Sequence, residues 1–403
     1  MATLALGGWG RMRHRQRQYE SDKRAFIERV AVTARAARAD KQDYLGWEGT
    51  RELQLSAVVD EAVDVKSFYL TDPDGAALPA FEPGQYLTCH LPSAPGEKPL
   101  VRCYSLSDRP REEYYRLTVK LCLPPADLPE APPGRGSSRL HTMVSGDRLP
   151  VSAPRGGFFL DPRRNHPLVL IAGGIGVTPM VSMLATLAEQ NDDREVYFFY
   201  GVRNSREHAL RDQLEEIAAA HPHLHQFVAY SQPLAEDREH HDYQLHGRIT
   251  IDTIRRIVPT GMYDYYLCGP GGMMEQLVEG LLAAGVSEER ILYEAFGPAS
   301  VRKMHKHDEP ATSVASAGPT PTVKFATSHQ QVDWDNHCDS LLDLIEELGV
   351  AIDSGCRAGN CGMCAARVLE GDIETVKQPG AAAPDGYCLA CISVPKSPLV
   401  LEL

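Results

Sequence analysis

The stretch PLVLIAGGIGVTPM, residues 167–180, begins as an apolar run and ends in a glycine turn that leads into a helix-like segment. An apolar run between turn signals is typical of a strand buried on both faces. Gly173, Gly174 and Gly176 would let a pyrophosphate approach the helix that opens at Thr178 and Pro179, where unpaired N–H groups and the helix dipole favour anions. Because the pattern is GGxGxxP and not GxGxxG, a plain strand-to-helix turn is an alternative for this stretch alone.

Strand-like and helix-like segments alternate around this turn, over residues 164–297. The alternation predicts a doubly wound α/β domain, with a parallel sheet and helices on both faces. A second apolar run, YDYYLCGPGGMM, ends at Cys268, Gly269 and Pro270 and again leads into a helix. Each turn is a weak signal alone, but their order and spacing together indicate a nucleotide-binding domain.

The preceding residues, 49–163, contain short strand-like runs such as SFYLTD, QYLTCHL and YYRLTVKLCL, which are broken by proline and glycine. This spacing predicts an antiparallel β-barrel. Within it, VRCYSLSD places Arg102, Tyr104 and Ser105 together. An arginine can hold a phosphate, a tyrosine can stack on a flavin ring and a serine can hydrogen-bond flavin N5. This stretch therefore predicts a flavin site.

Five of the ten cysteines lie within residues 356–391, and three of them form CRAGNCGMC. Cys356, Cys361 and Cys364 have the C-x4-C-x2-C spacing of a plant-type [2Fe–2S] site, with Cys388 and Cys391 as candidates for the fourth ligand. A structural zinc site is the alternative, but zinc sites favour two-residue gaps in both cysteine pairs. The other cysteines are scattered, which is typical of a reducing compartment with one thiolate site.

Charge narrows the function class. The net charge of the 403-residue chain is −13, which argues against nucleic-acid binding. Residues 1–48 differ, because ten Lys and Arg against six Asp and Glu give them about +4. We interpret them as a basic extension with a helix over 19–39, through which peripheral membrane contact is an option. No apolar run is long enough to predict a transmembrane segment, and we expect a cytoplasmic location.

Residues 49–297 resemble the ferredoxin–NADP reductase superfamily through RCYS, GRGS at 134–137, GGIGVTP and CGP. After a proline-rich linker over 298–319, residues 320–403 resemble plant-type ferredoxins through CRAGNCGMC and the later LACISVP. The order of the parts is similar to phthalate dioxygenase reductase and related oxygenase reductases, and the first part to the reductase module of flavohaemoglobins. The resemblance implies a flavin-binding β-barrel, a nucleotide-binding α/β domain and an α+β ferredoxin domain with the β-grasp fold.

The resemblance also implies roles for individual residues. The flavin would be bound by Arg102, Tyr104, Ser105, Gly134 and Ser137. The nicotinamide dinucleotide would be held by Gly173, Gly174, Gly176, Thr178, Pro179, Cys268, Gly269 and Pro270. Glu294 and Phe296 match the acidic and aromatic end of the family near the flavin, and the hydride would pass in a pocket bordered by Ser105, Cys268 and Glu294. An inert apolar side chain is the alternative interpretation of Cys268.

In the ferredoxin family the last cysteine of the LxC stretch is the fourth cluster ligand. That cysteine is Cys391 here, which leaves Cys388 as a free or buried thiol. The family implies that NAD(P)H delivers a hydride to the flavin, and that electrons then leave singly through the cluster to an outside acceptor. We expect the acceptor to be an oxygenase component. A small-molecule or soluble carrier, or a non-enzymatic redox sensor, are the alternatives.

The identity of both organic cofactors depends on small differences. We favour FAD over FMN, because the YSLSD context is similar to the FAD-using members, although GRGSS is similar to the FMN-using ones. We favour NADH over NADPH, because AYSQPLAED at 229–237 offers no basic residue to a 2′-phosphate. Arg203 and Arg206 argue in the opposite direction. Histidines at 221–225 and 240–241 are interpreted as surface residues without carboxylate partners.

Overall fold

The computed structural model describes residues 47, 49–92, 100–124, 129–130, 133–295, 321–334, 338–354, 357, 359, 362–376 and 383–403. The predicted helix over 19–39 and the predicted linker over 298–319 lie outside them. The chain divides into a small compact unit, residues 1–47 and 161–165, and a large unit with the other residues. In the small unit, Asp161 accepts hydrogen bonds from the backbone N–H and Nε of Arg163 at 2.9 Å. None of the described helices is long and apolar enough to cross a membrane.

Six antiparallel strands form the first part of the large unit: β1 (Thr50–Ala62), β2 (Val65–Thr71), β3 (Tyr86–Leu91), β4 (Leu100–Ser105), β5 (Tyr115–Lys120) and β6 (Arg148–Ser152). A short helix, α1 (Arg135–His141), precedes β6. The strand order is β4-β3-β6-β1-β2-β5, and a β-bridge between Leu106 and Leu117 joins the two outer strands. Leu53 and Leu55 of β1 point inward and are fully buried, as period-two alternation requires. The predicted antiparallel barrel is confirmed.

The second part alternates strands with helices: β7 (Leu168–Gly173), α2 (Val177–Gln190), β8 (Val196–Val202), α3 (Arg211–Ala220), β9 (Leu224–Tyr230), β10 (Leu245–His246), α4 (Ile251–Ile257), β11 (Asp264–Gly269), α5 (Gly271–Ala283) and β12 (Ile291–Ala295). The parallel sheet has the order β10-β9-β8-β7-β11-β12. One apolar core lies between the sheet and α2 and α3, and another lies between the sheet and α4 and α5. Every residue of β7 and β11 is buried, because helices cover both faces. The predicted doubly wound domain is confirmed.

Helix α2 belongs to both parts of the structure. The core beneath it includes Val65, Phe158 and Leu160 from the barrel side of the chain. A Cβ atom on Gly84, which precedes β3, would lie 2.7 Å from Cε of Met183 in α2. The barrel and the parallel sheet therefore share an apolar contact at α2. They also meet at the loop after β8, where the backbone N–H of Val63 donates to the carbonyl of Arg206 at 2.9 Å and Lys120 pairs with Glu207 at 2.8 Å.

The C-terminal part contains β13 (Thr322–Phe325), β14 (Gln330–Asp333), α6 (Leu341–Glu347), β15 (Ala365–Glu370), β16 (Ile373–Thr375), β17 (Tyr387–Leu389), β18 (Ser393–Pro395) and β19 (Leu399–Leu401). A mixed sheet has the order β14-β13-β19-β15-β17, with β13 parallel to β19, and β16 pairs with β18. Ser340 caps α6, since its Oγ accepts a hydrogen bond from the backbone N–H of Asp343 at 3.3 Å. The buried face of α6 packs on this sheet, which confirms the predicted α+β class.

Candidate functional site

The two glycine-containing turns meet at the point where the strand order of the parallel sheet reverses. From β7 the chain first adds strands on one side and then returns to add β11 and β12 on the other. Ala172, near the end of β7, pairs with Cys268, near the end of β11. The turns at 173–176 and 268–270 are therefore neighbours at the carboxyl edge of the sheet. This switch point is where open α/β sheets bind ligands.

The glycines of these turns are required for different structural reasons. A Cβ atom on Gly176 would lie 2.1 Å from the carbonyl oxygen of Cys268, and one on Gly173 would lie 2.8 Å from Cδ of Pro270. A side chain on either glycine would push the two turns apart. Gly174 has a φ of +54°, and no atom lies within 4 Å of the place of its Cβ. Gly173 and Gly176 thus allow the turns to pack, and Gly174 leaves space at the cleft.

The other residues predicted for the nucleotide site are mostly part of the framework. The hydroxyl of Thr178 donates a hydrogen bond to the carbonyl of Ile175 at 3.0 Å, and Pro179 is buried in the first turn of α2. A Cβ atom on Gly269 would lie 2.7 Å from Cε of Met273. Pro270 has a φ of −60° and directly precedes α5. These residues shape the backbone at the helix starts.

Cys268 is a buried, uncharged residue next to the two glycine turns. Its side chain is fully buried, and it pairs across the sheet with Glu294 of β12. Burial raises the pKa of the Cys268 thiol well above its usual value, and the negative charge of Glu294 raises it further. The thiol is therefore protonated at neutral pH and is not a nucleophile. Phe296 lies outside the described residues.

The predicted flavin residues come together where α1 approaches β4. A Cβ atom on Gly136 would lie 2.7 Å from Cγ of Arg102 and 3.0 Å from the hydroxyl of Tyr104. Burial raises the pKa of Tyr104, so its hydroxyl stays protonated. The contact brings Arg102 and Tyr104 to the segment that begins with Gly134 and Ser137. Only a residue without a side chain at position 136 permits this approach.

The hydroxyl of Ser137 is already engaged. It donates a hydrogen bond to the carbonyl of Gly134 at 3.0 Å and accepts one from the backbone N–H of Cys122 at 3.0 Å. The Ser137 side chain therefore holds Cys122 and Gly134 together at the start of α1, next to the residues predicted to bind the flavin. The sequence pattern placed this residue at the site but did not reveal its partner, which lies 15 residues away.

Ser105 offers a buried hydroxyl group. Its side chain is 5% exposed, and within the described part of the chain its Oγ has no hydrogen-bond partner. A buried hydroxyl without a partner costs free energy, on the order of 1–3 kcal/mol, unless a ligand or water satisfies it. Together with the close approach at Gly136 and the open space at Gly174, this group fits a bound flavin and a bound dinucleotide.

Of the four predicted cluster ligands, Cys364 and Cys391 are among the described residues. Their Sγ atoms lie 3.2 Å apart, and both residues are buried. The backbone N–H of Gly359 donates to Cys391 Sγ at 3.3 Å, and Gly359 reaches this place with a φ of +74°, which favours glycine. Cys364 Sγ donates a hydrogen bond to Cys391 Sγ, and the two sulfur atoms are close enough for both to bind one metal centre. Cys356 and Cys361 lie outside the described residues.

Cys388 and Cys391 are both buried, at 2% and 4% exposed. Burial raises the pKa of the Cys388 thiol to about 11. The short distance between the Sγ atoms of Cys391 and Cys364, and the contact from the Gly359 N–H, favour Cys391 as the fourth ligand.

Two groups of residues have partners that sequence reasoning missed. His223 and His225 bind the two carboxylate oxygens of Glu195 at 2.9 and 2.7 Å, so the expectation that these histidines have no carboxylate partner is wrong. The Nη1 of Arg203 lies 3.3 Å from Glu207, and Nη2 of Arg206 lies 3.3 Å from Glu236. In the described residues, no cluster of three or more His, Cys, Asp or Glu side chains is arranged to hold a metal ion.

Comparison with protein families gives two matches. The family described as the oxidoreductase NAD-binding domain matches residues 170–279. The family described as the 2Fe-2S iron-sulfur cluster binding domain matches residues 323–396. These matches confirm the nicotinamide dinucleotide and the [2Fe–2S] cluster as cofactors of the chain, and they confirm that it is an oxidoreductase.

Related proteins cover different shares of the chain. A flavohemoprotein of Bacillus cereus is 38% identical over 256 residues, which is 63% of this chain and 63% of the relative. A flavohemoprotein of Rhodopirellula baltica is 38% identical over 282 residues, 69% of this chain and 68% of the relative. The chain thus spans about two thirds of the length of these relatives.

Two solved structures have the same fold. The flavohem-like FAD/NAD binding domain of nitric oxide dioxygenase from Vibrio cholerae has 33% identity and a TM-score of 0.54, over 62% of this chain and 99% of that one. Phthalate dioxygenase reductase, described as a modular structure for electron transfer from pyridine nucleotides to [2Fe-2S], has 26% identity and a TM-score of 0.54, over 88% of this chain and 98% of that one. The chain belongs to the ferredoxin–NADP reductase superfamily, as an NAD-binding oxidoreductase with a C-terminal 2Fe-2S domain.

Proposed function

We propose that the protein is an NADH-dependent reductase that passes electrons through FAD and a [2Fe–2S] cluster to an oxygenase-type acceptor protein. The observation that carries the proposal is the coexistence, in one chain, of a nucleotide cleft, a flavin cradle and a pair of cluster thiols. FAD is favoured over FMN, because the Vibrio cholerae domain is described as FAD/NAD binding and is matched almost completely. The proposal includes the domain boundaries 49–163, 164–297 and 320–403.

The protein's part in hydride transfer is alignment and the exclusion of water. Flavins accept a hydride from nicotinamide and release electrons one at a time, and this chemistry belongs to the cofactor. Arg102 is placed to meet a flavin phosphate. The Ser105 hydroxyl, buried and without a protein partner in the described residues, is placed to hydrogen-bond the ring. The protonated thiol of Cys268 gives the nicotinamide an uncharged neighbour.

Glu294 completes this border on the side of β12. Its backbone pairs with Cys268, and its carboxylate is close enough to raise the pKa of the Cys268 thiol. A carboxylate at the edge of a largely buried cleft can orient a cationic or polar group, and the oxidised nicotinamide ring carries a positive charge. We therefore assign Ser105, Cys268 and Glu294 to the border of the hydride-transfer pocket.

Purified full-length protein tests the proposal directly. We expect one flavin, two irons and acid-labile sulfide in each chain, and NADH oxidation with ferricyanide and with cytochrome c as acceptors. Zinc in place of iron would refute the electron-transfer function. A protein that contains both cofactors but does not oxidise NADH would favour the redox-sensor alternative.

The acceptor is tested separately. Coupled turnover with a purified Rieske-type oxygenase component should consume NADH and substrate in proportion. Fast reduction of small soluble carriers, together with failure to support any oxygenase component, would favour the alternative acceptor class. A cytoplasmic location is part of the proposal, and cell fractionation with an antibody against the chain tests it.

A further inference from the structure

One buried hydrogen bond connects the helix of the nucleotide site with the strand of the flavin site. The hydroxyl of Ser182, in α2, donates to the backbone carbonyl of Asp108 at 2.7 Å. Ser182 is fully buried, and Asp108 is 5% exposed. Asp108 is the last residue of the VRCYSLSD stretch, but neither residue was assigned a role at the nucleotide or flavin site.

Both ends of this bond are close to the reacting groups along the chain. Ser182 follows Thr178 by four residues in α2, so it lies about one helical turn, ~6 Å, further along the same face. Asp108 follows Ser105, the last residue of β4, by three residues, a distance of at most ~10 Å in extended chain. A displacement at this bond would therefore also displace the nucleotide turn and the hydroxyl of Ser105.

The surrounding contact does not fix this geometry by itself. Around the bond, α2 meets the barrel side through apolar groups, including Met183 against Gly84 and the side chains of Phe158 and Leu160. Apolar contacts resist separation but have little directional preference. The ion pair between Arg109 and Glu189 joins the same two segments, but the Glu189 side chain is 49% exposed, and exposed pairs contribute little. Ser182 supplies a buried, directional link between α2 and the segment after β4. Another directional contact between the barrel and the parallel-sheet part, from the Val63 N–H to the Arg206 carbonyl at 2.9 Å, lies at the loop after β8.

We propose that Ser182 is a positioning residue for hydride transfer. Its hydrogen bond to the Asp108 carbonyl sets the place of α2, which carries the nucleotide turn, against the end of β4, which carries Ser105. The inference rests on the proposed function, because it concerns the approach of nicotinamide to flavin. Hydride transfer is sensitive to small displacements of the reacting atoms, and a misplacement of ~1 Å can cost ~100-fold in rate.

The test compares two buried hydroxyl groups of α2 in the full-length protein loaded with FAD and the cluster. Ser182→Ala removes the bond to the barrel side. Thr186→Val is the matched control, since the Thr186 hydroxyl is also buried but donates to the carbonyl of Ser182 within the helix at 2.8 Å. We expect Ser182→Ala to slow flavin reduction by NADH about tenfold in stopped-flow measurements, within the range that misplacement produces. In Thr186→Val, NADH should reduce the flavin at the wild-type rate.

A second measurement does not depend on activity. Hydrogen exchange of a peptide covering residues 105–109 should become faster in Ser182→Ala and stay unchanged in Thr186→Val. Ser182→Thr, which retains the hydroxyl, should restore both the rate and the exchange. If Ser182→Ala loses its flavin, Ser182→Cys is used in its place, because the thiol is a weaker hydrogen-bond donor of similar size. The flavin of Ser182→Cys should also be reduced slowly by NADH.

The outcomes separate this inference from the proposed function. Equal reduction rates in Ser182→Ala and Thr186→Val, or unchanged exchange at 105–109, would overturn the role of Ser182. A failure of Ser182→Thr to restore the rate would do the same, because it would show that the hydroxyl is not the relevant feature. If wild-type flavin is not reduced by NADH at all, it is the proposed function that fails.

Discussion

The Sγ atoms of Cys364 and Cys391 lie 3.2 Å apart, within reach of one iron, and the backbone N–H of Gly359 points at the second of them. Cys388, three residues before Cys391, has a buried thiol whose pKa is raised to about 11. The contacts of Cys391 with Cys364 and Gly359 distinguish it from Cys388 as the predicted fourth ligand.

Replacing Cys391 with Ser should therefore remove or destabilise the cluster, because iron loses one of its four thiolates. Cys388→Ser is the matched control and should leave iron and acid-labile sulfide at wild-type levels. Visible absorption and metal analysis of the two purified variants provide the measurement. Equal cluster loss in both would show that the assignment of the fourth ligand is wrong.

Ser105→Ala should affect the reaction more than the fold. The Ser105 hydroxyl has no hydrogen-bond partner among the described residues, so its loss removes no internal bond. We expect an almost unchanged melting temperature and a rate of flavin reduction by NADH that falls roughly 100-fold, at the lower end of the range for losing one oriented donor.

The neighbouring Ser107 gives the contrast. Its buried hydroxyl bonds with Thr118 Oγ1 at 2.7 Å and donates to the carbonyl of Arg116 at 3.1 Å. Ser107→Ala should therefore lower the free energy of unfolding by about 1–3 kcal/mol and affect the reduction rate less than Ser105→Ala does. If Ser107→Ala slows flavin reduction more than Ser105→Ala does, Ser105 is not part of the hydride-transfer pocket.

A fragment of residues 49–297 should still oxidise NADH with ferricyanide, because it includes the flavin cradle and the nucleotide cleft. It should reduce cytochrome c only slowly, since the cluster that releases single electrons is missing. Steady-state assays of fragment and full-length protein with both acceptors provide the comparison. Full cytochrome c activity in the fragment would mean that the flavin passes electrons on directly, and the C-terminal part would need another role.

The strand-and-helix order and the positions of the glycine turns were predictable from the sequence, because they depend on local patterns. The structural reason for each individual glycine could not be predicted from the sequence. Gly176 is required because a Cβ atom there would meet the carbonyl of Cys268, a residue 92 positions later in the chain. Contacts between turns of this kind arise only when the sheet has brought distant strands together.

Partners of charged and hydroxyl side chains escaped prediction for the same reason. Arg206 is paired with Glu236, 30 residues away, and Ser182 is paired with the backbone of Asp108, 74 residues away. A backbone carbonyl has no sequence signal at all, so the Ser182 bond could not be found from the residues. The motifs therefore predicted which residues form the site, whereas the contacts that hold these residues in place are visible only in the structure.

His208 makes stability depend on pH. It is 5% exposed, and its Nδ1 lies 3.0 Å from the hydroxyl of Tyr230. Burial lowers the pKa of its imidazole to about 4, whereas an unfolded chain has a value of about 6.5. As the pH falls from 6.5 towards 4, the unfolded state binds a proton that the folded state refuses. The free energy of unfolding therefore falls in this window, by up to ~3 kcal/mol.

The variant His208→Asn isolates this effect, because Asn can still bond with Tyr230 but does not titrate. Urea unfolding at pH 7 and pH 5 provides the measurement. The variant should be less stable than the wild type at pH 7, and the difference should shrink at pH 5. A difference of the same size at both pH values would mean that His208 is not the group responsible.

The last prediction concerns coenzyme preference. A 2′-phosphate carries about two negative charges and is usually met by an arginine in bidentate contact. The two arginines after β8 are each paired with a carboxylate, Arg203 with Glu207 and Arg206 with Glu236. Gln232, whose backbone N–H donates to the carbonyl of Arg203 at 2.8 Å, brings no charge to this place. We expect kcat/KM to favour NADH by about tenfold, equivalent to roughly 1.4 kcal/mol.

Two substitutions should narrow that gap by improving NADPH. Gln232→Arg adds a cation beside the predicted ribose position, and Glu236→Gln releases Arg206 from an exposed ion pair that is weak enough for a phosphate to replace. Glu52→Gln is the matched control, because it breaks an equally exposed pair with Arg148 in the barrel and should leave the preference unchanged. Steady-state kinetics with both nucleotides decides the matter. A wild-type preference for NADPH would identify Arg203 and Arg206 as phosphate ligands despite their carboxylate partners, and it would overturn the assignment of NADH.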